Sequence, residues 1–430
     1  MAKIPKDISL DGSLALLREG YTFMQNRFIR YQTDIFQMRL MGQKVICLHG
    51  EEGAAVFYNP DNFIRKGAIP KMVQKTLLGE KGVQALDDAA HRRRKEMFMS
   101  VMSRESIQKL MDLMQQEWEV YTAKWEKMDS VVLFDEVQEI MCRAACAWAG
   151  VPLKEKEVRK RSSDFGFMVD AFGTVGPRNW RGRWARRRTE SWIRKYISAV
   201  REAKRKVAVG SPAHTMATYV DFNGRLMDLQ RAAVELINVI RPIVAIATYV
   251  TFSALALHQF PAYRQQLLTD EEDFTELFVQ EVRRFYPFTP FVGARVRQDF
   301  EWKGYPFRAG TMVFLDVYGT LHDKRLWEQP FSFLPERFRN WQGSPYDFIP
   351  QGGGHYLTGH RCAGEWITIE AMKLALTYLT RGIRFEVPKQ DLSYPLSRMP
   401  TLPRSRFIMQ RVRKTNAAVP VEQVAAHRGI

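Results

Sequence analysis

The sequence predicts a mainly α-helical fold with a minor β component. Three observations carry that reading. Apolar residues recur at helical spacing from about Pro70 to Ala208, as in SIQKLMDLMQQEWEVYTAKWEKM, where Trp118 and Trp125 stand a heptad apart. RLMDLQRAAVELINVIRPIVAIATYVTFSALALHQF, residues 225–260, is the longest helical pattern and is apolar nearly all round, which places a helix through the centre of the molecule. Period-2 alternation is confined to short stretches, chiefly DIFQMRLMGQKVICLHG and FVGARVRQDFEWKGYPFRAGTMVFLDVYG, with turns at Gly42, Gly304 and Gly310.

The elements follow in order. Residues 1 to about 60 mix a short helix with alternating strands. Helices then run to Ala208, and SPAHTMATYVDFNG, from Ser211 to Gly224, predicts a surface connection. After the central helix, TELFVQEVRRFYPF is a helix ended by Pro287. Strands follow, then a Pro- and aromatic-rich stretch, a Gly-rich loop, and the helix CAGEWITIEAMKLALTYLTRGI. Strands return at RFEVP and RFIMQRV. No linker divides the chain, so residues 1–415 are expected as one domain and 416–430 as a C-terminal tail.

Composition bounds the function. With 46% hydrophobic and 12% aromatic residues, 430 residues can furnish a large core. Four cysteines without CxxC or zinc spacing exclude a disulfide scaffold and a zinc site. Cys142 and Cys146, one turn apart, read as a buried helix face. MAKIPKDISLDGS lacks the apolar core of a signal peptide. The longest run free of charged residues and histidine, Pro242 to Leu257, falls short of the ~20 residues that span a bilayer. The expectation is a cytoplasmic protein without an integral membrane segment. The net charge of +17 concentrates in places such as RNWRGRWARRR, Arg178 to Arg188. Interleaved Trp and Arg suit nucleic acid; a solvated helix start is the plainer reading, and no nucleic-acid partner is expected. A basic surface also attracts anionic substrates, acidic proteins or membrane headgroups.

The chemistry concentrates in FIPQGGGHYLTGHRCAGEW. Cys362 follows a glycine-rich loop and begins a helix, where the helix N-terminus and nearby basic groups stabilise a thiolate. Taken alone, such a cysteine is equally a small buried hydrophobe. In QEVRRF, Glu281 and Arg284 lie three apart on one helix face, and LPERF adds Arg337. The order E-x-x-R, P-E-R-F, H-x-C-x-G resembles the cytochrome P450 superfamily, over essentially the full chain. The resemblance implies the P450 fold, with haem b between a long central helix and the cysteine loop. It implies that the Cys362 thiolate is the iron ligand and that Glu281, Arg284 and Arg337 hold the proximal core.

Three departures narrow the resemblance. The glycine loop is longer than usual. AHRRRKEMF puts His91 and Lys95 where most relatives have a tryptophan and an arginine. The central helix carries Arg241-Pro242 in place of the acid–alcohol pair that delivers protons. All three resemble the bacterial fatty-acid peroxygenases. That family implies hydrogen peroxide and a long-chain fatty acid as substrates, with no obligatory redox partner. Hydroxylation falls at the alpha or beta carbon. Arg241 holds the substrate carboxylate, which then serves as the general acid–base group. The plainer alternative pairs Arg241 with Glu235. Pro242 removes the helical partner of the Asn238 carbonyl, so a local kink is expected. The alkyl tail is assigned to Leu78, Val169, Phe172 and Phe288, residues that equally suit plain core. Gln84 takes a distal-pocket position where histidine in relatives favours oxidative decarboxylation to terminal alkenes; glutamine favours hydroxylation. Arg65, His91, Lys95 and His360 are assigned to the haem propionates. Competing readings are a fatty-acid decarboxylase and a reductase-dependent monooxygenase.

Overall fold

The structure is a computed structural model that describes residues 3–415 apart from 222 and 270–272, together with Val419 and Val424. Most of the expected C-terminal tail lies outside the described residues. Near the N-terminus, Ile35–Leu40 and Gln43–Leu48 form a hairpin closed by Met41 and Gly42. Both turn residues have positive φ, 51° and 73°, the hand that matches strand twist. The hairpin is one side of a five-stranded sheet completed by Met312–Asp316, Phe291–Val296 and Phe63–Ile64. Gln43–Leu48 pairs parallel with Met312–Asp316, so the N-terminal strands close only on the C-terminal half. That pairing ties residues more than 250 positions apart into one sheet.

A second sheet joins Ser130–Val132, Ile408–Lys414 and Ile383–Glu386. Ser130–Val132 lies in the stretch read as helical throughout. Three residues are too few to show a period, so the strand was invisible in sequence. Helices form the rest of the body. Trp118 and Trp125 are fully buried and meet edge to face at 5.7 Å. Cys142 and Cys146 are buried in the helix Leu133–Ala149, as expected.

One expectation needs correction. Pro212–Thr218, within the segment read as a surface connection, is a helix capped by Ser211, and it buries Ala213, Met216 and Ala217. Proline at the first helical position starts a helix rather than preventing one. The central helix carries Pro242 inside it. It runs from Leu229 to Ala245, and a second helix, Ala247–Gln259, begins after Ile246. The helix is encased, so packing holds helical geometry through the proline. The irregularity falls one turn later, where the Ile246 N–H donates to Ile243 O at 3.1 Å, an i−3 rather than i−4 bond. Leu229–Gln259 is long and apolar enough to cross a membrane, and 94% of its most apolar window is buried inside the protein.

Candidate active site

Cys362 sits between the glycine loop and the helix Glu365–Thr377, with its N–H donated to Gln351 O at 3.0 Å. A Cβ on Gly353 would lie 2.8 Å from both Ile349 and the Pro345 carbonyl, and Gly352 has φ 94°. The loop therefore needs bare backbone here. Burial pushes the Cys362 thiol up; Lys95, the Gly364 N–H and Arg283 act the other way.

Behind the loop, the Glu281 carboxylate takes both Arg284 Nε and Nη2 at 2.7 Å, Arg337 Nε at 3.1 Å and the Leu334 N–H at 2.9 Å. Arg284 Nη1 also donates to Leu321 O and Pro330 O, at 2.8 and 2.9 Å. The expected three-residue cluster is thus assembled, fully buried at Glu281 and Arg284. A second buried network was missed. Glu365 accepts from Arg283 and, at 2.6 Å, from Arg361 Nε. Its sequence signal was the i,i+4 spacing of Arg361 and Glu365 around the cysteine.

Arg65, His91, Lys95 and His360 come together. The His91 and His360 rings are 3.9 Å apart, and Lys95 Nζ donates to the Arg361 carbonyl. Arg65 lies over the Phe57 ring at 4.2 Å. Burial, and then their neighbours' charge, hold His91 down at about 4 and His360 well below the ordinary histidine value. Burial brings Lys95 down to about 8. Asp87 is a nearby acid, but its oxygens accept the backbone N–H groups of Arg65 and Lys66. Among the described residues, no side-chain carboxylate bonds any of the four. The result is a buried ledge of basic side chains on which Arg65 and Lys95 carry the positive charge while the two imidazoles stay neutral.

Arg241 is 6% exposed. Among the described residues its guanidinium makes no ion pair or hydrogen bond, and Nε is buried without an acceptor. Glu235 is not its partner. It pairs with Arg94 at 2.6 Å and accepts from Asn238 Nδ2 at 3.1 Å. Burial, and then the charge of Arg186, hold the Arg241 pKa down at about 9, while Cys362 raises it. The arginine stays charged at neutral pH, the form that a Cys362 thiolate favours.

Gln84 Oε1 lies 3.5 Å from Asn238 Nδ2, one turn before Arg241. Leu78, Val169, Phe172 and Phe288 are all only half-buried. Leu78 ends the turn Gln74–Leu78, which packs against the helices Val158–Asp170 and Pro177–Arg201. Phe172 follows Val169, with its N–H on the Val169 carbonyl at 3.0 Å. Phe288 comes from elsewhere: it stacks on Tyr249 at 4.7 Å, and its carbonyl accepts from Tyr21 Oη. Tyr249 was not singled out in sequence. Its buried hydroxyl has no partner among the described residues; burial raises its pKa, Arg283 opposes this, and Glu365 and Cys362 add to it.

A thiol at a helix start, a glycine cradle, a cationic ledge and an unpaired arginine fit one cofactor and one anion. The comparisons agree. A family model described as Cytochrome P450 matches residues 270–410. "Cytochrome P450EX alpha (CYP152N1) wild-type with myristic acid" is 44% identical, covers 96% of this chain and 100% of its own, and superposes with a TM-score of 0.94. The chain belongs to the cytochrome P450 superfamily, in its CYP152 branch. Cytochrome P450SP alpha (CYP152B1) in complex with (R)-ibuprophen is 44% identical over 94% of this chain and 99% of that one, with TM-score 0.92. A cytochrome P450 OleT variant in complex with arachidonic acid is 35% identical over 97% and 100%, with TM-score 0.94. Cytochrome P450 3A15 of Cavia porcellus is 30% identical over 140 residues, 32% of this chain and 26% of that protein. The curated relatives are thus matched over less than a third of their length. As a P450, the chain takes haem b with a cysteine thiolate on iron.

Proposed function

We propose that this P450 is a peroxygenase that uses hydrogen peroxide to hydroxylate long-chain fatty acids at the alpha or beta carbon. Cys362 would ligate the haem iron, and Arg65, His91, Lys95 and His360 would take its propionates. Haem b supplies redox-active iron through which oxygen from peroxide reaches a C–H bond. The observation that carries the reading is Arg241: a buried, charged guanidinium on the central helix without an ion-pair partner among the described residues.

The rest is the work of the protein's own side chains. Arg241 binds the substrate carboxylate through paired N–H donors and keeps it ionised. The held carboxylate oxygen is then the base that accepts a proton from peroxide and the acid that returns it. This replaces the acid–alcohol pair and needs no electron donor. Anchoring the carboxyl end also leaves the first carbons of the chain at the reaction centre and sends the tail along Leu78, Val169 and Phe172. Gln84, tied to Asn238, offers no ionisable group there, which favours hydroxylation over decarboxylation. Pro242 acts through the helix, by leaving the Asn238 carbonyl without its usual donor. A cytoplasmic location and independence of a redox partner belong to the same reading.

Arg241→Ala tests it. The variant is expected to bind haem and show a reduced carbon-monoxide band at about 450 nm, the thiolate signature. Peroxide-driven fatty-acid turnover should fall at least about a hundredfold. Unchanged turnover overturns the proposal, as does a wild-type enzyme inert with peroxide but active with NADPH and a ferredoxin system. Mass spectrometry of the products separates hydroxy acids from terminal alkenes.

A further inference from the structure

The helix Pro177–Arg201 turns a basic, tryptophan-bearing face to solvent. Its inner stripe is filled by Asn179, Gly182, Ala185, Arg186, Thr189 and Ile193, all buried. Trp180 and Trp184 lie one turn apart on the other side, each 61% exposed, as is Val175 just before the helix. Arg181, Arg187 and Arg188 are exposed among them. The cations are only partly neutralised. Arg181 reaches Asp170 at 3.3 Å and Arg188 reaches Asp164, whereas Arg187 has no ion pair among the described residues and lies 5.9 Å over the Trp184 ring.

This face adjoins the proposed substrate wall. Val169 and Phe172 lead directly into the turn that carries Val175. Met399 packs against Gly173 in that turn, and Arg398 pairs with Asp170. On its other side the same loop meets the N-terminal segment: Tyr21 N–H donates to Leu396 O at 3.0 Å, and Tyr21 packs with Met399. The helix just before Tyr21, Ser13–Glu19, leaves Leu14 and Leu17 exposed with Arg18 beside them. Two segments far apart in sequence thus flank one loop, each presenting bare apolar side chains next to arginine.

We propose that this surface docks on an anionic lipid bilayer. Amphipathic indoles settle at the headgroup level, and arginines around them are drawn to anionic headgroups. The aliphatic members decide between partners. Val175, Leu14 and Leu17 can neither stack on bases nor pair with phosphates, but they enter an acyl boundary. Docking brings the mouth beside Val169 and Phe172 to the phase in which long-chain fatty acids partition. Only this last consequence rests on the proposed function; the docking itself does not.

The test uses the haem-loaded enzyme and vesicles of phosphatidylcholine, with or without phosphatidylglycerol. Co-sedimentation should occur with the phosphatidylglycerol vesicles, weaken with salt and shift tryptophan emission to the blue. Trp180→Ala/Trp184→Ala should weaken vesicle binding by about tenfold or more, since both indoles enter the interface. It should leave turnover of detergent-dispersed fatty acid unchanged, because both positions are exposed. Failure to sediment with anionic vesicles overturns the proposal, as does undiminished binding by the double variant. Tight, salt-sensitive binding to duplex DNA that the same variant abolishes would assign the face to nucleic acid instead. Sedimentation is read without turnover, so an enzyme inert toward fatty acids would still report on docking.

Discussion

Arg284 and Arg241 are both buried guanidiniums, and they are treated in opposite ways. Arg284 is 0% exposed, with a bidentate carboxylate from Glu281 and three backbone carbonyls around it. Arg241 is 6% exposed and has no protein partner among the described residues. Burying a charge is costly unless it is paired, so the first site is satisfied by the protein itself, whereas the second fits the anion-binding role proposed for it. Local satisfaction separates a scaffold residue from a binding residue more clearly than burial does.

The largest expected effect lies on the structural side. Glu281→Ala leaves the buried Arg284, with the half-buried Arg337 beside it, without a carboxylate, at about 3–5 kcal/mol, and urea denaturation should show that loss or failure to fold. On the other side, Arg241→Ala removes an uncompensated charge. Its stability should be equal to or above that of the wild-type apoprotein by the same denaturation, while turnover collapses. A large loss of stability there would break the comparison, because it would reveal a structural partner.

A third buried cation sharpens the contrast. His49 has Nε2 3.1 Å from Asp323 and Nδ1 3.4 Å from Asp316. Burial alone would lower its pKa, but the Asp316 and Asp323 carboxylates facing its two ring nitrogens outweigh it and hold it up at about 9. A raised folded-state pKa means a contribution fully present below about pH 6.5 and lost as pH rises through about 9. On the order of 2–3 kcal/mol is at stake, and His49→Gln should flatten stability across that window. The smallest effect is expected at Asn238→Ala. It frees Gln84 and removes one bond to Glu235, so about 1 kcal/mol of stability should go. The ratio of alpha to beta product should change more than the total rate.

Much of the site was legible in sequence because its motifs are local. Glu281 and Arg284 share a helix face by spacing alone, and Cys362 is placed by the glycine loop before it and the helix after it. Period and turn chemistry located the hairpin at Gly42 and the strands near Gly304 and Gly310. Ser130–Val132 was not legible, because three residues pair only when the chain returns at Ile408. Pro212 was misread because proline both starts helices and ends them.

What the sequence determined by itself is which chemical groups exist and which neighbours along the chain can meet: the thiol, the Glu–Arg–Arg motif, and an arginine set beside a proline in an apolar helix. Only the tertiary structure decided which of those charges is satisfied. It gave Glu235 to Arg94, left Arg241 without an ion pair among the described residues, drew Arg65, His91, Lys95 and His360 into one ledge, and turned Trp180 and Trp184 outward. The reason is physical. A buried charge is paired or bare according to the packing of elements far apart in the chain, and no local pattern encodes that distance.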